Sequence, residues 1–256
     1  MAGESRRVLI TGGAGFIGSH LADALIERGF RVQILDNLST GQHRNLNPRA
    51  ALIQADIRDL DSIMPAFAGV DTVFHEAALA RVPLSIDKPA ETHMVNALGT
   101  LHVLIAARDA GVRRVVFAGS SSVYGDQDTL PLHEQMTPNP LNPYALQKLV
   151  GEKYTHLFHK LYGMQTLTLR YCNVFGPRMA TAGAYVTVLG VFSPATPRRQ
   201  TTHGSWRWHT VSRLHPCWGR RRGQSAGDRL RSSRRPCIEY RTRQQSNGQS
   251  DCRDDR

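Results

Sequence analysis

Short apolar runs alternate with amphipathic stretches along most of the chain. The runs are rich in β-branched residues, as buried strands are, and apolar positions in the stretches between them recur at helical spacing. The predicted strands are Val8–Ile10, Val32–Leu35, Leu52–Gln54, Thr72–Phe74, Arg114–Ala118 and Thr166–Arg170. The predicted helices are Gly18–Arg28, Asp59–Phe67, Asn96–Ala110 and Pro143–Tyr162. This alternation predicts an α/β fold with a doubly wound parallel sheet and helices on both faces.

A glycine-rich loop, Thr11–Gly18, follows the first predicted strand. Gly12 allows a tight turn, Gly15 lets the backbone approach a pyrophosphate, and Gly18 lets the next helix pack closely on the sheet. Backbone N–H groups at the start of that helix would face the phosphate charge. Three glycines alone are weak evidence, but their place between a strand and a helix predicts a dinucleotide-binding Rossmann fold.

An acidic residue, Asp36, ends the second predicted strand. A carboxylate at this place accepts hydrogen bonds from the adenosine ribose hydroxyls and repels a 2′-phosphate, so the sequence favours NAD over NADP. A plain glycine turn and an unrelated surface acid are the alternative. That alternative fits the spacing from the glycine loop less well.

A tyrosine and a lysine, Tyr144 and Lys148, lie four residues apart in a predicted helix and so share a face. An ammonium group beside a phenol favours the phenolate. Bringing a tyrosine from its usual pKa to neutrality requires about 4 kcal/mol, which we expect from Lys148 together with an oxidised nicotinamide. Serines Ser120, Ser121 and Ser122 follow a buried predicted strand. Either feature alone is typical of a surface pair or a turn, but with the glycine loop and Asp36 they indicate a catalytic site.

Composition divides the 256 residues into two parts. Residues 1–192 carry 17 Lys and Arg against 16 Asp and Glu, whereas residues 193–256 carry 15 Arg, no Lys and 5 acids. The net charge of +11 therefore comes almost wholly from the last quarter. Four cysteines without regular spacing indicate a cytoplasmic location and no zinc or other metal site. No apolar run is long enough to span a membrane.

The chain resembles the NAD-dependent epimerase/dehydratase family of extended short-chain dehydrogenases/reductases, which act on nucleotide-sugars. The resemblance runs from Gly12 to Arg178. It rests on the glycine loop, Asp36–Gly41, Asp56 and Ile57, His75–Ala78, Asn96, Ser120–Gly125, Tyr144–Lys148 and Arg170–Arg178. Together these motifs are highly specific for the family.

The resemblance implies a set of site residues. Asp36 and Asn37 would hold the adenosine ribose, Asp56 and Ile57 would flank the adenine, and Lys148 would contact the nicotinamide ribose. The implied NAD-binding residues are Gly12, Gly15, Phe16, Ile17, Gly18, Asp36, Asn37, Asp56, Ile57, Ala77, Asn96, Tyr144 and Lys148. The implied catalytic residues are Ser120, Tyr144 and Lys148, and the implied substrate-binding residues are Ser120, Ser121 and Asn173.

Residues after the catalytic serine favour one reaction within the family. Dehydratases of the family place an Asp-Glu pair there and sugar-acid decarboxylases a Glu, whereas this chain has Ser121 and Ser122. The resemblance therefore implies a UDP-glucose/UDP-galactose 4-epimerase type of enzyme. Tyr144 would take the proton of the sugar 4-hydroxyl, and a transient 4-keto sugar would form. A net NAD-dependent sugar-nucleotide dehydrogenase or reductase is one alternative. A non-catalytic dinucleotide- or nucleic-acid-binding protein is another.

The family pattern stops abruptly after Phe192, so we expect an NAD-binding catalytic domain over 1–192 and a basic tail over 193–256. The tail could bind nucleic acid, could be a disordered extension, or could be coding sequence translated out of frame. Back-translated and read one nucleotide later, the codons of Trp206–Trp218 can spell Gly-Asp-Gly-Thr-Gln-Ser-Arg-Asp-Phe-Thr-His-Val. This string resembles a segment of the family's sugar-binding lobe, and the codons of Tyr240–Asp255 give a second such match.

We therefore expect a frameshift near Phe192 and a disordered tail. The substrate lobe would then be largely missing or scrambled, and the activity of the 256-residue chain would be impaired. Nucleic-acid binding by the tail is the less favoured interpretation. The expected partners are a UDP-sugar and a second copy of the chain, because Asn96–Ala110 and Tyr144–Tyr162 resemble the helices through which family members dimerise.

Overall fold

Seven strands form one parallel sheet in the computed structural model of the protein, which describes residues 6–179 and 238–239. The strand order is β3-β2-β1-β4-β5-β6-β7, so the winding direction reverses between β1 and β4. Ligands of such sheets bind at this reversal, outside the carboxyl ends of the strands. The strands are β1 (Arg7–Thr11), β2 (Arg31–Asp36), β3 (Ala51–Gln54), β4 (Thr72–His75), β5 (Arg114–Ser120), β6 (Gln165–Tyr171) and β7 (Ile238–Glu239). Each of the six predicted strands lies within an observed one, and the predicted α/β class is confirmed.

Six α-helices connect the strands in the described part of the chain: α1 (Phe16–Glu27), α2 (Leu60–Ile63), α3 (Val82–Asp87), α4 (Pro89–His93), α5 (Gly99–Asp109) and α6 (Pro143–Tyr162). The sequence did not predict α3 and α4, which are short. The predicted helix over 59–67 is divided, because Pro65 has no N–H to continue it and the chain passes into a 3-10 turn, Met64–Phe67. The first residues of the predicted helix over 96–110 form a π turn, Met94–Leu98.

Helix α6 carries the Tyr/Lys pair and has well-defined ends. The side chain of Asn142 accepts a 2.9 Å hydrogen bond from the backbone N–H of Ala145, and Pro143 occupies the first turn. Gly163 ends the helix in the left-handed conformation with a φ of 70°. These caps fix the register of α6, and with it the face on which Tyr144 and Lys148 lie.

The core lies on both faces of the sheet. On β1, Leu9 joins one buried cluster with residues of α5 and α6, whereas Val8 and Ile10 join a second cluster with residues of α1. Successive side chains of a strand point to opposite faces, so this division shows helices packed on each side. Each buried aliphatic side chain contributes about 1.5–3 kcal/mol to stability. The doubly wound arrangement predicted from the sequence is thus confirmed.

The predicted basic tail, 193–256, lies outside the described residues except for β7. The backbone of Ile238 and Glu239 pairs in parallel with Leu169 and Arg170 of β6. Across the described residues, every helix is too short or too polar to cross a membrane. Nor does that part of the chain hold a group of three or more metal-ligating side chains close enough for one ion.

Candidate active site

The glycine loop packs backbone against backbone at the carboxyl end of β1. Gly12 has a φ of 71°, and a Cβ there would lie 2.6 Å from the backbone nitrogen of Ala77 in the loop after β4. A Cβ on Gly18 would overlap the carbonyl oxygen of Gly12. Gly15 caps α1, which Phe16 and Ile17 open. The structure therefore brings together the five loop residues predicted for NAD, in a cradle that side chains would fill.

Asp36 lies at the carboxyl end of β2, beside this loop, and is 7% exposed. Its Oδ2 accepts a 2.9 Å hydrogen bond from the backbone N–H of Ala14, and its Oδ1 accepts one of 2.8 Å from Leu38. The carboxylate therefore holds the glycine loop and the following turn in place. This anchoring role was not foreseen from the sequence, and the predicted ribose contact stays a prediction.

Three further predicted nucleotide contacts lie beside β2 and β3. The side-chain amide of Asn37 donates a 2.8 Å hydrogen bond to Asp56, which also pairs with Arg58 at 2.7 Å. The Arg58 guanidinium lowers the pKa of Asp56 to about 2, and partial burial opposes this effect. Ile57 is a core residue whose side chain packs against Gly99. Asn37 and Asp56 thus form one polar group, whereas Ile57 lies inside the protein.

Tyr144 and Ser120 meet at the carboxyl end of β5. Their side chains share a hydrogen bond, and Tyr144 is 9% exposed. The backbone N–H of Tyr144 donates a 3.1 Å hydrogen bond to the hydroxyl of Ser85 in α3, which fixes the first turn of α6. The two predicted catalytic residues are therefore paired because the start of α6 is fixed beside the end of β5.

Lys148 lies one turn further along α6 and is 3% exposed. Its Nζ donates a 2.8 Å hydrogen bond to the backbone oxygen of Ala118 and lies 5.0 Å from the centre of the Phe117 ring. Burial lowers the pKa of Lys148 to about 8, and the charge of Glu76 opposes that shift. The ammonium is therefore held under the end of β5, on the tyrosine side of the sheet.

The titration of Tyr144 differs from the sequence-based expectation. Burial raises the pKa of Tyr144, and the hydrogen bond with Ser120 only partly opposes this effect. The Tyr/Lys spacing alone predicts the opposite direction. The prediction was wrong for the protein without NAD. The free-energy cost of burying the phenolate away from water exceeds the stabilisation that the neighbouring groups give it. The part of the expectation that relied on a cationic nicotinamide stays a prediction.

Ser122 is one of the three serines that follow the predicted strand Arg114–Ala118, but no role of its own was predicted for it. Its Oγ lies 2.6 Å from Oγ of Ser120, which also accepts a 3.2 Å hydrogen bond from the Ser122 backbone N–H. Ser121, predicted to contact substrate, opens the same 3-10 turn. Tyr144, Ser120 and Ser122 thus form a continuous chain of hydroxyl groups that can pass or share a proton.

Glu76 is a second residue that the sequence reasoning missed. Its Oε1 accepts a 2.9 Å hydrogen bond from the hydroxyl of Tyr171 at the end of β6. Burial raises the pKa of Glu76 to about 7, while Tyr171 and the charge of Lys148 oppose the shift. The sequence did hold one signal for Glu76 as a site residue. It directly follows β4, at the edge where the winding of the sheet reverses and ligands bind.

Asn96 and Ala77 support the loop after β4. The Asn96 side chain accepts the N–H of Leu79 at 2.8 Å and donates to the carbonyl of Leu79 at 3.1 Å and to Gln147 at 2.8 Å. The backbone N–H of Ala77 donates a 3.3 Å hydrogen bond to the hydroxyl of Thr11. Asn96 is 1% exposed, so its hydrogen bonds here hold the loop. Its predicted contact with NAD stays a prediction.

His75 is a structural residue in the same region. Its Nδ1 lies 2.7 Å from the hydroxyl of Thr11, and its Nε2 lies 2.9 Å from the hydroxyl of Thr100, which in turn donates to the Asn96 carbonyl. These bonds suit a neutral imidazole with its proton on Nε2. Burial lowers the pKa of His75 to about 3, and the charge of Lys148 adds to the shift.

Asn173, predicted to touch the substrate, is exposed in the segment that follows β6. It lies at the same edge of the sheet as Ser120, because Ser120 and Tyr171 are paired in adjacent strands. The structure thus leaves Asn173 accessible from solvent at the carboxyl edge, where the other predicted site residues lie.

Comparison with known proteins agrees with this site. The family model described as the NAD dependent epimerase/dehydratase family matches residues 8–190. A provisionally named UDP-glucose 4-epimerase of Methanocaldococcus jannaschii is 46% identical over 178 residues, which are 69% of this chain and 58% of the relative. The chain belongs to the NAD-dependent epimerase/dehydratase family.

Solved structures support the same assignment. UDP-N-acetylglucosamine 4-epimerase from Methanobrevibacter ruminantium M1, in complex with UDP-N-acetylmuramic acid, is 40% identical with a TM-score of 0.71, over 75% of this chain and 62% of that chain. UDP-glucose 4-epimerase from Thermus thermophilus, in complex with NAD, is 38% identical with a TM-score of 0.68, over 73% of this chain and 60% of that chain. The chain spans less than two thirds of the length of these relatives.

NAD is the cofactor of the family, and the residues present fit it. Gly12 and Gly18 let the loop pack backbone against backbone, and Gly15 stands at the start of α1, where backbone N–H groups suit a pyrophosphate. Asp36 places negative charge at the carboxyl end of β2, where an adenosine ribose is held in this fold.

Proposed function

We propose that residues 1–192 are the NAD-binding and catalytic part of a nucleotide-sugar 4-epimerase of the UDP-glucose/UDP-galactose type. The observation that carries the proposal is the hydrogen bond between Tyr144 and Ser120, with the buried ammonium of Lys148 one turn further along α6. NAD held by the glycine cradle and Asp36 would supply reversible hydride transfer at C4 of the sugar. The similarity to UDP-glucose and UDP-N-acetylglucosamine 4-epimerases supports a UDP-sugar as the substrate.

The protein residues would handle the proton of the sugar 4-hydroxyl. Ser120 would donate a hydrogen bond to the 4-oxygen, and Tyr144 would take its proton while a transient 4-keto sugar forms. Acid–base placement of this kind contributes roughly 10² to 10⁴ to the rate. The buried ammonium of Lys148 would stabilise the phenolate electrostatically. The serines after Ser120 provide no carboxylate for elimination, which favours epimerisation over dehydration.

Residues from about 193 onward are, in this proposal, the product of a shifted reading frame. The match to the family ends at residue 190, directly before the composition changes. Since the sugar-binding lobe of the family would follow there, we propose that the chain as written has little or no epimerase activity. Below, the chain with the downstream codons read one nucleotide later is called the frame-restored chain.

The proposal is tested by following UDP-glucose and UDP-galactose by NMR with each chain. The frame-restored chain is expected to interconvert the two sugars, and the 256-residue chain is expected to leave them unchanged. Normal turnover by the 256-residue chain would overturn the frameshift, whereas net NADH formation by the frame-restored chain would favour a dehydrogenase.

A homodimer is part of the same proposal. Leu146, Leu157 and Leu161 are 52%, 44% and 65% exposed, and their spacing places them on one face of α6. An exposed apolar stripe of this kind favours burial against a second copy. Leu157→Glu together with Leu161→Glu should turn a dimer into monomers in sedimentation, and Leu130→Glu, at another exposed leucine, should not.

A further inference from the structure

The segment after β6, residues 172–179, runs back along the carboxyl edge of the sheet to helix α1, and is called the strap below. Strands β5 and β4 lie between β6 and β1, the strand that leads into α1. Three strand spacings measure about 14 Å, and eight extended residues reach about 26 Å. The strap is therefore long enough to cross the edge at which the dinucleotide site lies.

Three contacts fasten the strap to α1. Nη2 of Arg178 lies 2.8 Å from Oδ2 of Asp23, and Nε2 of His20 donates a 2.9 Å hydrogen bond to the carbonyl oxygen of Pro177. A Cβ at Gly176 would lie 3.5 Å from the Phe16 ring, so the backbone there passes close to that ring. Together, the ion pair, the hydrogen bond and the ring contact join the strap to residues in the first two turns of α1.

The backbone at the end of the strap is itself unusual. Arg178 has a φ of 66°, a left-handed conformation that costs free energy for any residue with a side chain. The N–H of Met179 closes a turn onto the carbonyl of Gly176 at 3.3 Å. Such a conformation persists where surrounding contacts hold it, and here the turn onto Gly176 and the ion pair with Asp23 both involve this point of the strap.

The strap shares a residue with the cofactor cradle. Phe16, which Gly176 approaches, is the first residue of α1 and follows Gly15 directly. A dinucleotide lying along the carboxyl edge, with its pyrophosphate at Gly15, would lie between the strap and the ends of β1 and β4. A strap that stays on α1 would then stand in the path by which the dinucleotide leaves this edge.

We infer that the strap is a latch for NAD, and that Asp23 and Arg178 are positioning residues which set how slowly the cofactor leaves. The inference rests on the NAD site of the family and not on which sugar is epimerised. It suits an enzyme that must hold one NAD through both hydride transfers, because release between them would strand the keto sugar.

The test measures release of NADH from the 256-residue chain, by its fluorescence after mixing with excess NAD. Asp23→Asn and Arg178→Gln should each speed release by up to about fivefold, the size expected for loss of one partly exposed ion pair. The exchanged pair, Asp23→Arg with Arg178→Asp, should return the rate to near that of the unchanged chain. His20→Phe, which removes a different contact of the strap, should also speed release.

A matched control is Asp71→Asn, which breaks the 2.9 Å pair of Asp71 with Arg113 at the opposite, amino end of the sheet. Its release rate should stay unchanged. The latch is refuted if Asp23→Asn, Arg178→Gln and His20→Phe release NADH no faster than Asp71→Asn, or if the exchanged pair recovers nothing. An unchanged chain that binds no NADH would overturn the cofactor site as well, so the two failures are distinguishable.

Discussion

Nζ of Lys148 donates a 2.8 Å hydrogen bond to the backbone oxygen of Ala118, the residue two places before the catalytic serine of the proposed site. The lysine therefore holds strand β5 and helix α6 together, from the face of α6 that also carries Tyr144. Loss of the ammonium group should disturb the geometry of the site and, in the proposed mechanism, remove a cation from its surroundings.

Lys148→Met keeps the length and the apolar stem of the side chain but removes its charge and its hydrogen bond. In the frame-restored chain we expect kcat to fall by roughly 10² to 10⁴, because Tyr144 loses the cation that stabilises its phenolate. Steady-state kinetics with UDP-galactose measure this. Lys153→Met on the same helix is the control, and an equal loss in both variants would contradict a special role for Lys148.

Tyr144→Phe removes the proposed base and leaves its ring in place. We expect kcat to fall by roughly 10² to 10⁴, with NAD still bound, since the cradle at Gly12 is untouched. Ser120→Ala should cost less, and Ser122→Ala less again, because Ser122 reaches Tyr144 only through Ser120. If Ser122→Ala were the more damaging serine variant, the assignment of Ser120 would be wrong.

Asp36→Asn tests the preference for NAD. Removing the charge should raise the affinity for NADP relative to NAD by about tenfold or more, because the 2′-phosphate no longer meets a carboxylate. Titration of the chain with each dinucleotide gives the ratio. Since Asp36 also accepts the N–H of Ala14, affinity for NAD should fall in the same variant. An unchanged ratio would show that Asp36 only anchors the loop.

His75 and Glu76 should have opposite effects on how the free energy of unfolding depends on pH. The folded pKa of His75 is lowered to about 3, so protonation of the unfolded chain removes stability as the pH falls from 6.5 toward 3. The folded pKa of Glu76 is raised to about 7, so its contribution is present below 4.5 and is lost as the pH rises to about 7. Between pH 4.5 and 6.5 the two contributions cancel.

Glu76→Gln should remove only the second contribution. Its free energy of unfolding in urea should then rise by up to about 1.4 kcal/mol per pH unit between pH 4.5 and 6.5 relative to the unchanged chain. Glu91→Gln, at an exposed pair with Lys88, is the control and should show no such slope. Parallel pH profiles for Glu76→Gln and the unchanged chain would contradict the raised pKa of Glu76.

The sequence predicted what depends on local pattern and missed what depends on long-range packing. The order of strands β1 to β6, the long helices α1, α5 and α6, the glycine cradle and the Tyr/Lys face follow from periodicity and spacing, whereas the short helices α3 and α4 were missed. In the protein without NAD the pKa of Tyr144 is raised and not lowered, because burial depends on how α6 packs onto β5 and not on the spacing of two residues. Helix spacing carries no information about desolvation.

Contacts between residues on different strands could also not be predicted from the sequence. Glu76 follows β4 and Tyr171 ends β6, and β5 lies between these strands, so only the fold shows that the two residues share a hydrogen bond. The contact of Asp23 with Arg178 has the same origin. Asn96 was identified as a motif residue from the sequence. Its three hydrogen bonds with Leu79 and Gln147 could not be predicted, because they depend on the conformation of the loop after β4.

The most direct test uses the frame-restored chain and UDP-galactose carrying deuterium at C4. Tyr144 is assigned the hydroxyl proton alone, so the deuterium should move as hydride and reappear at C4 of UDP-glucose, with none lost to water and no net NADH. Product that has exchanged its C4 deuterium for solvent hydrogen would contradict this account.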